Sequence, residues 1–112
     1  MRIVIRVLMI AAAFALVAAR PAMAQGDAEK GKAVYAAQKC MGCHAIAGTG
    51  NKNNPLDGVG KKLSAAEIRA WIVTPKEMET KTKSTKKPPM PDRYAKLPAA
   101  DIDALVAYMA SL

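Results

Sequence analysis

Histidine occurs once in this chain of 112 residues, and cysteine only twice. That scarcity excludes a structural zinc site. Such a site takes about four Cys, His or carboxylate ligands, and no second Cys/His pair exists to close one. The two cysteines, Cys40 and Cys43, lie three positions apart. A bridge between them would close a tiny loop and stabilise little by loop entropy. No strand pattern surrounds them, so the βαβ setting of a thioredoxin-like pair is missing. Internal repeats are absent. The longest apolar run, Val7 to Ala19, makes only about 20 Å of helix against a hydrocarbon core of about 30 Å.

What is present begins with an address. Arg2 and Arg6 precede that apolar, Ala-rich run, Arg20-Pro21 interrupts it, and Ala22-Met23-Ala24 supplies small residues. This pattern predicts a secretory signal over 1–24, cleaved after Ala24, and hence a periplasmic protein. An uncleaved leader would leave it membrane-anchored. The domain proper is then 25–112. Three of the 17 basic residues depart with the leader, so 14 stand against 9 acids and the net charge falls to +5. A domain this small buries a limited apolar core and needs a metal, disulfide or cofactor to complete it.

The run Cys40-Met41-Gly42-Cys43-His44 supplies that staple. Two thiols followed directly by histidine are the attachment signature of a c-type haem. Residues i and i+3 share one side of a helical turn, so both sulfurs can bond the vinyl groups on one porphyrin edge. His44 then projects its imidazole at the iron, as a proximal ligand does. Export and attachment are independent signals, and they agree because covalent haem is added after translocation.

Along the rest of the chain, a first helix is predicted over 27–39 with Asp27 as N-cap. Gly31 within it is costly, at about 1 kcal/mol, and such a glycine usually marks a close backbone approach. Tyr35 shares its face. Residues 47–60 read as loop. Ser64-Ala65-Ala66-Glu67 has the form of a capping box and opens a helix with Ile68, Trp71 and Ile72 on its apolar face, ended at Thr74-Pro75. Lys76 to Lys87 reads as a long polar loop containing Met78. Prolines on both sides of Met90 hold it in extended backbone. A last helix from about Ala99 carries Ile102, Leu105, Val106 and Met109 at helical spacing. Three main helices, long loops and no convincing strand make the fold all-α.

Gly31 with Tyr35, the Cys40–His44 run, Pro55-Leu56, Trp71, Met90-Pro91 and Leu105-Val106-Ala107-Tyr108 stand in an order that resembles the small single-haem class I cytochromes c of bacteria, over essentially all of 25–112. The resemblance implies one covalent haem c with its iron between His44 and Met90. It implies that the Pro55 carbonyl accepts a hydrogen bond from the other nitrogen of His44, orienting the imidazole. Trp71 fits two readings, a donor to a haem propionate or a core tryptophan. Tyr94 likewise either packs near the haem, bonds a propionate, or simply packs. The first and last helices would cross, with Gly31 and Tyr35 against Leu105 and Tyr108. One departure stands out. Pro98 occupies the position where the family usually has a Ser or Thr cap, leaving Asp101 to serve the last helix alone.

These readings predict a monomeric one-electron carrier and not an enzyme, because two protein ligands leave the iron no open position. The alternatives are a dedicated haem subunit of an exported dehydrogenase or other redox complex, and a ligand-binding haem protein whose methionine is displaced. Lys76, Lys81, Lys83, Lys86 and Lys87 predict a positive rim for redox partners with acidic docking surfaces. An ordinary solvated loop is the simpler account of the same lysines. Nucleic acid does not fit an exported chain without a nucleic-acid module. Membrane contact would come only through partner complexes, or weakly through the lysines.

Overall fold

The computed structural model describes residues 22–112, with side chains from Asp27 onward. The leader reading falls on residues that lie, up to Pro21, outside those described. Helix α1 spans Ala22–Ala37. It starts ahead of the predicted cap, so Asp27 lies within the helix. Ala22 to Gln25 are good helix formers and nothing among them stops the coil. Its end comes through Gln38 N–H to the Val34 carbonyl at 2.8 Å and Lys39 in left-handed backbone at φ 56°.

Gly31 is where α1 meets the last helix, α5, Ala99–Ala110. A Cβ at Gly31 would stand 2.0 Å from the Ala104 carbonyl oxygen and 2.6 Å from the Tyr108 Cβ. One turn on, buried Tyr35 meets Tyr108 edge to face, with ring centroids 5.8 Å apart and planes at 74°. Lys30 and Asp101 pair at 3.4 Å on the rim of this crossing. So exposed a pair contributes little. Pro98 caps α5 without a side-chain bond, and Asp101 is the acid of its first turn. A second close approach was not anticipated. Gly60, in the short helix α2 (Val59–Lys62), would put a Cβ 2.2 Å from the Ala110 carbonyl oxygen.

Helix α3, Ala65–Val73, opens on the predicted capping box: Ser64 Oγ accepts from Glu67 N–H and Glu67 Oε1 from Ser64 N–H, each at 3.1 Å. Ile68 and Ile72 are buried on its inner face. Beyond Thr74 the structure corrects the sequence reading. Residues Pro75–Thr82 form a further helix, α4, where a polar loop was expected, and Met78 is buried in it. Pro75 at the start is preorganised for a helix. Glu77 in the first turn and Lys81 in the last suit the dipole. Only Pro75 and Met78 are buried, too few to produce a visible apolar period.

The remaining chain is short-range structure. A minimal antiparallel hairpin joins β1, Ala45–Ile46, to β2, Thr49–Gly50, across Ala47 and Gly48, both at positive φ. Strands of two residues are too short to show alternation. Asp92–Lys96 forms a 3-10 turn that brings buried Tyr94 into the core with Ile68, Ile72, Leu105 and Met109. The all-α architecture stands, with α1, α3 and α5 as its main helices. Among the described residues no helix is long and apolar enough to cross a membrane.

Candidate functional site

Lys39, at positive φ, turns the chain out of α1 and into a 3-10 turn over Cys40–Gly42. Cys43 N–H and His44 N–H both donate to the Cys40 carbonyl, at 3.1 and 2.9 Å. Positions i and i+3 eclipse in 3-10 geometry. Cys40 and Cys43 therefore rise on one side of the turn. They line, together with His44, a cavity of about 510 Å³. Pro55, Trp71, Met90 and Tyr94 line the same cavity. Every residue singled out as a candidate in the sequence is thus brought to one place.

The orientation of His44 differs in one detail from expectation. Its Nδ1 donates to the carbonyl of Asn54 at 3.2 Å, and not to that of Pro55. The reason lies in a parallel bridge between Ala45 and Pro55. Ala45 N–H donates to Asn54 O at 3.4 Å, and Leu56 N–H donates to Ala45 O at 2.8 Å. Groups on either side of Pro55 are thus turned toward the histidine strand, and its own carbonyl is turned away. A carbonyl can only accept, so this bond places the imidazole proton on Nδ1 and leaves the Nε2 lone pair free to ligate. Burial lowers the His44 pKa, with the Asn54 bond acting in the opposite direction. Burial thus favours the neutral form of the ring, the one that can ligate.

Burial raises the Cys40 thiol above its ordinary value. The backbone bond at Cys40 and the charge of Arg93 act in the opposite direction. Arg93 lines the cavity and was missed in the sequence. Its Nη2 donates to the Tyr94 hydroxyl at 2.8 Å, and its guanidinium carbon lies 4.9 Å from the Tyr94 ring centroid. No sequence pattern marks such a neighbour pair, since adjacent residues ordinarily point apart. Trp71 is half-buried on the lining. Ile68, Ile72, Leu105 and Met109 supply an apolar wall.

The residues present fit a large, flat, mostly apolar group with polar edges. The cavity is of cofactor size. Two thiols and an imidazole stand on one turn, and a thioether, Met90, comes from a separate segment. The Tyr35 hydroxyl, on the lining, is buried without a hydrogen-bond partner. A buried polar group left so is costly, and an occupant of the cavity can relieve it.

An all-α domain closing around such a cavity defines a haem-binding electron-transfer protein. The family model for Cytochrome c matches residues 28–112. The chain belongs to the cytochrome c family, and its cofactor is covalently bound haem c with its iron. It is similar to cytochrome c oxidase subunit 2 of Alkalihalophilus pseudofirmus, at 30% identity over 94 residues, covering 76% of this chain and 25% of that protein. The chain therefore spans about a quarter of the length of that curated relative. No solved structure matches.

Proposed function

We propose that the chain is an exported one-electron carrier whose single haem is bonded through Cys40 and Cys43 and ligated by His44 and Met90. The haem supplies the one-electron couple of its iron. The observation that carries the reading is the convergence of both thiols, the His44 ring and the Met90 thioether on one cavity of about 510 Å³. Asn54 fixes the imidazole proton on Nδ1, so the Nε2 lone pair would be available to hold the iron. Met90, a soft and weak donor, favours the reduced state and raises the potential relative to a second histidine. Apolar side chains from α3 and α5 keep water out. With His44 and Met90 both holding the iron, no position would remain for a substrate, so the chain would carry electrons without catalysis of its own. Trp71 and Arg93 are the polar side chains on the lining best suited to meet propionates. Tyr94 has its hydroxyl engaged by Arg93, which favours a packing role beside the haem.

A second reading is favoured by the likeness to an oxidase subunit: the chain serves as the haem module of a larger redox complex. Co-purification with a catalytic subunit from the source cell would favour it over the free periplasmic shuttle.

Methionine variants test the ligand set. Met90→Ala is expected to abolish the Fe–S charge-transfer band of the ferric protein and lower its potential. Met78→Ala is expected to keep the band and to cost about 2–5 kcal/mol, because Met78 is a buried side chain and not a loop ligand. Loss of the band with Met78→Ala and its survival in Met90→Ala would overturn the assignment.

A further inference from the structure

The segment that carries Met90 is thinly held. Pro88, Pro89 and Pro91 remove three backbone donors. Upstream, Lys86 N–H donates to Ser84 Oγ at 3.4 Å, and Lys87 pairs with Glu79 at 3.7 Å. Both bonds are local, tying the segment back to α4 and to itself. The loop that orients His44 is braced much more fully. Asn51 N–H is shared between the carbonyls of Met41 and His44, each at 3.0 Å. Asn53 N–H donates to Asn51 Oδ1 at 3.0 Å, and Asn54 holds the imidazole.

One bond crosses between the two. Lys86 Nζ donates to the Asn53 carbonyl at 3.0 Å. Among the described residues no other hydrogen bond joins 84–91 to 45–57. The seam beside it is loosely filled: a polar gap of about 60 Å³ lies between Cys43, Asn53, Asn54, Lys86 and Pro88. Packing therefore does not substitute for the bond there. Asn53 is the immediate neighbour of the residue that holds His44, so the crossing bond links the supports of both sides of the haem cavity.

We infer that Lys86 is a positioning residue, a latch that keeps the Met90 segment closed against the His44 loop. The inference rests on the reading of Met90 as the distal ligand. Lys86 lines the same cavity, and its proposed action runs through the segment that carries Met90. Its charge is secondary to its reach: a donor at that length is what the Asn53 carbonyl needs. Loss of one net hydrogen bond corresponds to about a 2- to 12-fold change in an opening equilibrium.

The test uses ferric holoprotein and imidazole, which enters the distal position only when the methionine side opens. Lys86→Gln is expected to speed imidazole capture by about 2- to 12-fold. Lys86→Arg, which keeps a long donor, is expected to restore capture to near the parent rate. Lys83→Gln, the same loss of charge at an exposed neighbour, is expected to leave it unchanged. Equal rates for Lys86→Gln and the parent, or equal acceleration by Lys83→Gln, would overturn the latch. Recording the Fe–S band in parent and Met90→Ala protein separates the two proposals. A band that survives Met90→Ala overturns the ligand reading and the latch with it. A band lost in Met90→Ala alongside an unaffected Lys86→Gln overturns the latch alone.

Discussion

Tyr35 carries a buried hydroxyl with no partner, in a ring packed against Tyr108 at the crossing of α1 and α5. Burial, with smaller contributions from Tyr108 and Asp57, pushes its pKa from 10.0 to about 12. Below pH 10 the folded and unfolded chains both hold the phenol proton, and stability is intact. Between pH 10 and about 12 the unfolded chain releases it and the folded one does not, so stability falls as pH rises. The contribution is at most about 2–3 kcal/mol. Denaturant midpoints of the holoprotein taken from pH 9 to pH 12 should therefore fall more steeply for the parent than for Tyr35→Phe. Parallel slopes would mean that the cofactor or a water already satisfies the hydroxyl.

At the scale of elements, the glycines of α1 and α2 decide how closely α5 can lie. Helix propensity alone would have Gly31→Ala stabilise the interior of α1 by about 1 kcal/mol. A Cβ at 2.0 Å from a backbone oxygen has no flexible neighbour to displace. The helices must instead separate, at a cost of about 1–3 kcal/mol or more. The net expectation is a lower thermal midpoint by circular dichroism for Gly31→Ala and for Gly60→Ala. A rise in midpoint would show that the crossing adjusts. Gly31 was legible because a glycine stood inside a stretch read as helix, where it is costly without a packing reason. Gly60 was not, because it sat in a glycine-rich loop that explained it equally well. α4 escaped for a related reason: with only Pro75 and Met78 buried, its lysines and threonines looked like solvated loop. The turn that brings Cys40, Cys43 and His44 to the cavity was legible, since the three are close in sequence. The carbonyl that holds His44 was displaced by one residue, because the Ala45–Pro55 bridge that settles it comes from tertiary structure.

For the whole molecule, the helical state of 75–82 changes how the lysine rim should be tested. Lys86 is engaged with Asn53, and Lys87 with Glu79. Reversing Lys86 would break the proposed latch, and reversing Lys87 would set two acids together at Glu79, so neither changes surface charge alone. Lys76, Lys81 and Lys83 are exposed on α4 and at its end, so they offer the cleaner probe. Their triple reversal to Glu is expected to slow electron exchange with an acidic redox protein at low salt and to leave the spectrum unchanged. The parent rate should itself fall as the Debye length shrinks from about 10 Å at 0.1 M to about 3 Å at 1 M salt. Stopped-flow rates independent of both salt and reversal would reduce those lysines to a solvated face.

The seating of Gly31 against Ala104 also imposes an order in time. Synthesis and any threading through a membrane deliver the chain from its N-terminal side. Cys40, Cys43 and His44 emerge while α1 still lacks the helix it packs on. Leu105 and Met109, which wall the cavity, follow only with α5. The wall that they supply is absent until α5 has joined α1. The apolar wall on that side of the cavity thus depends on pairing two segments far apart in the chain.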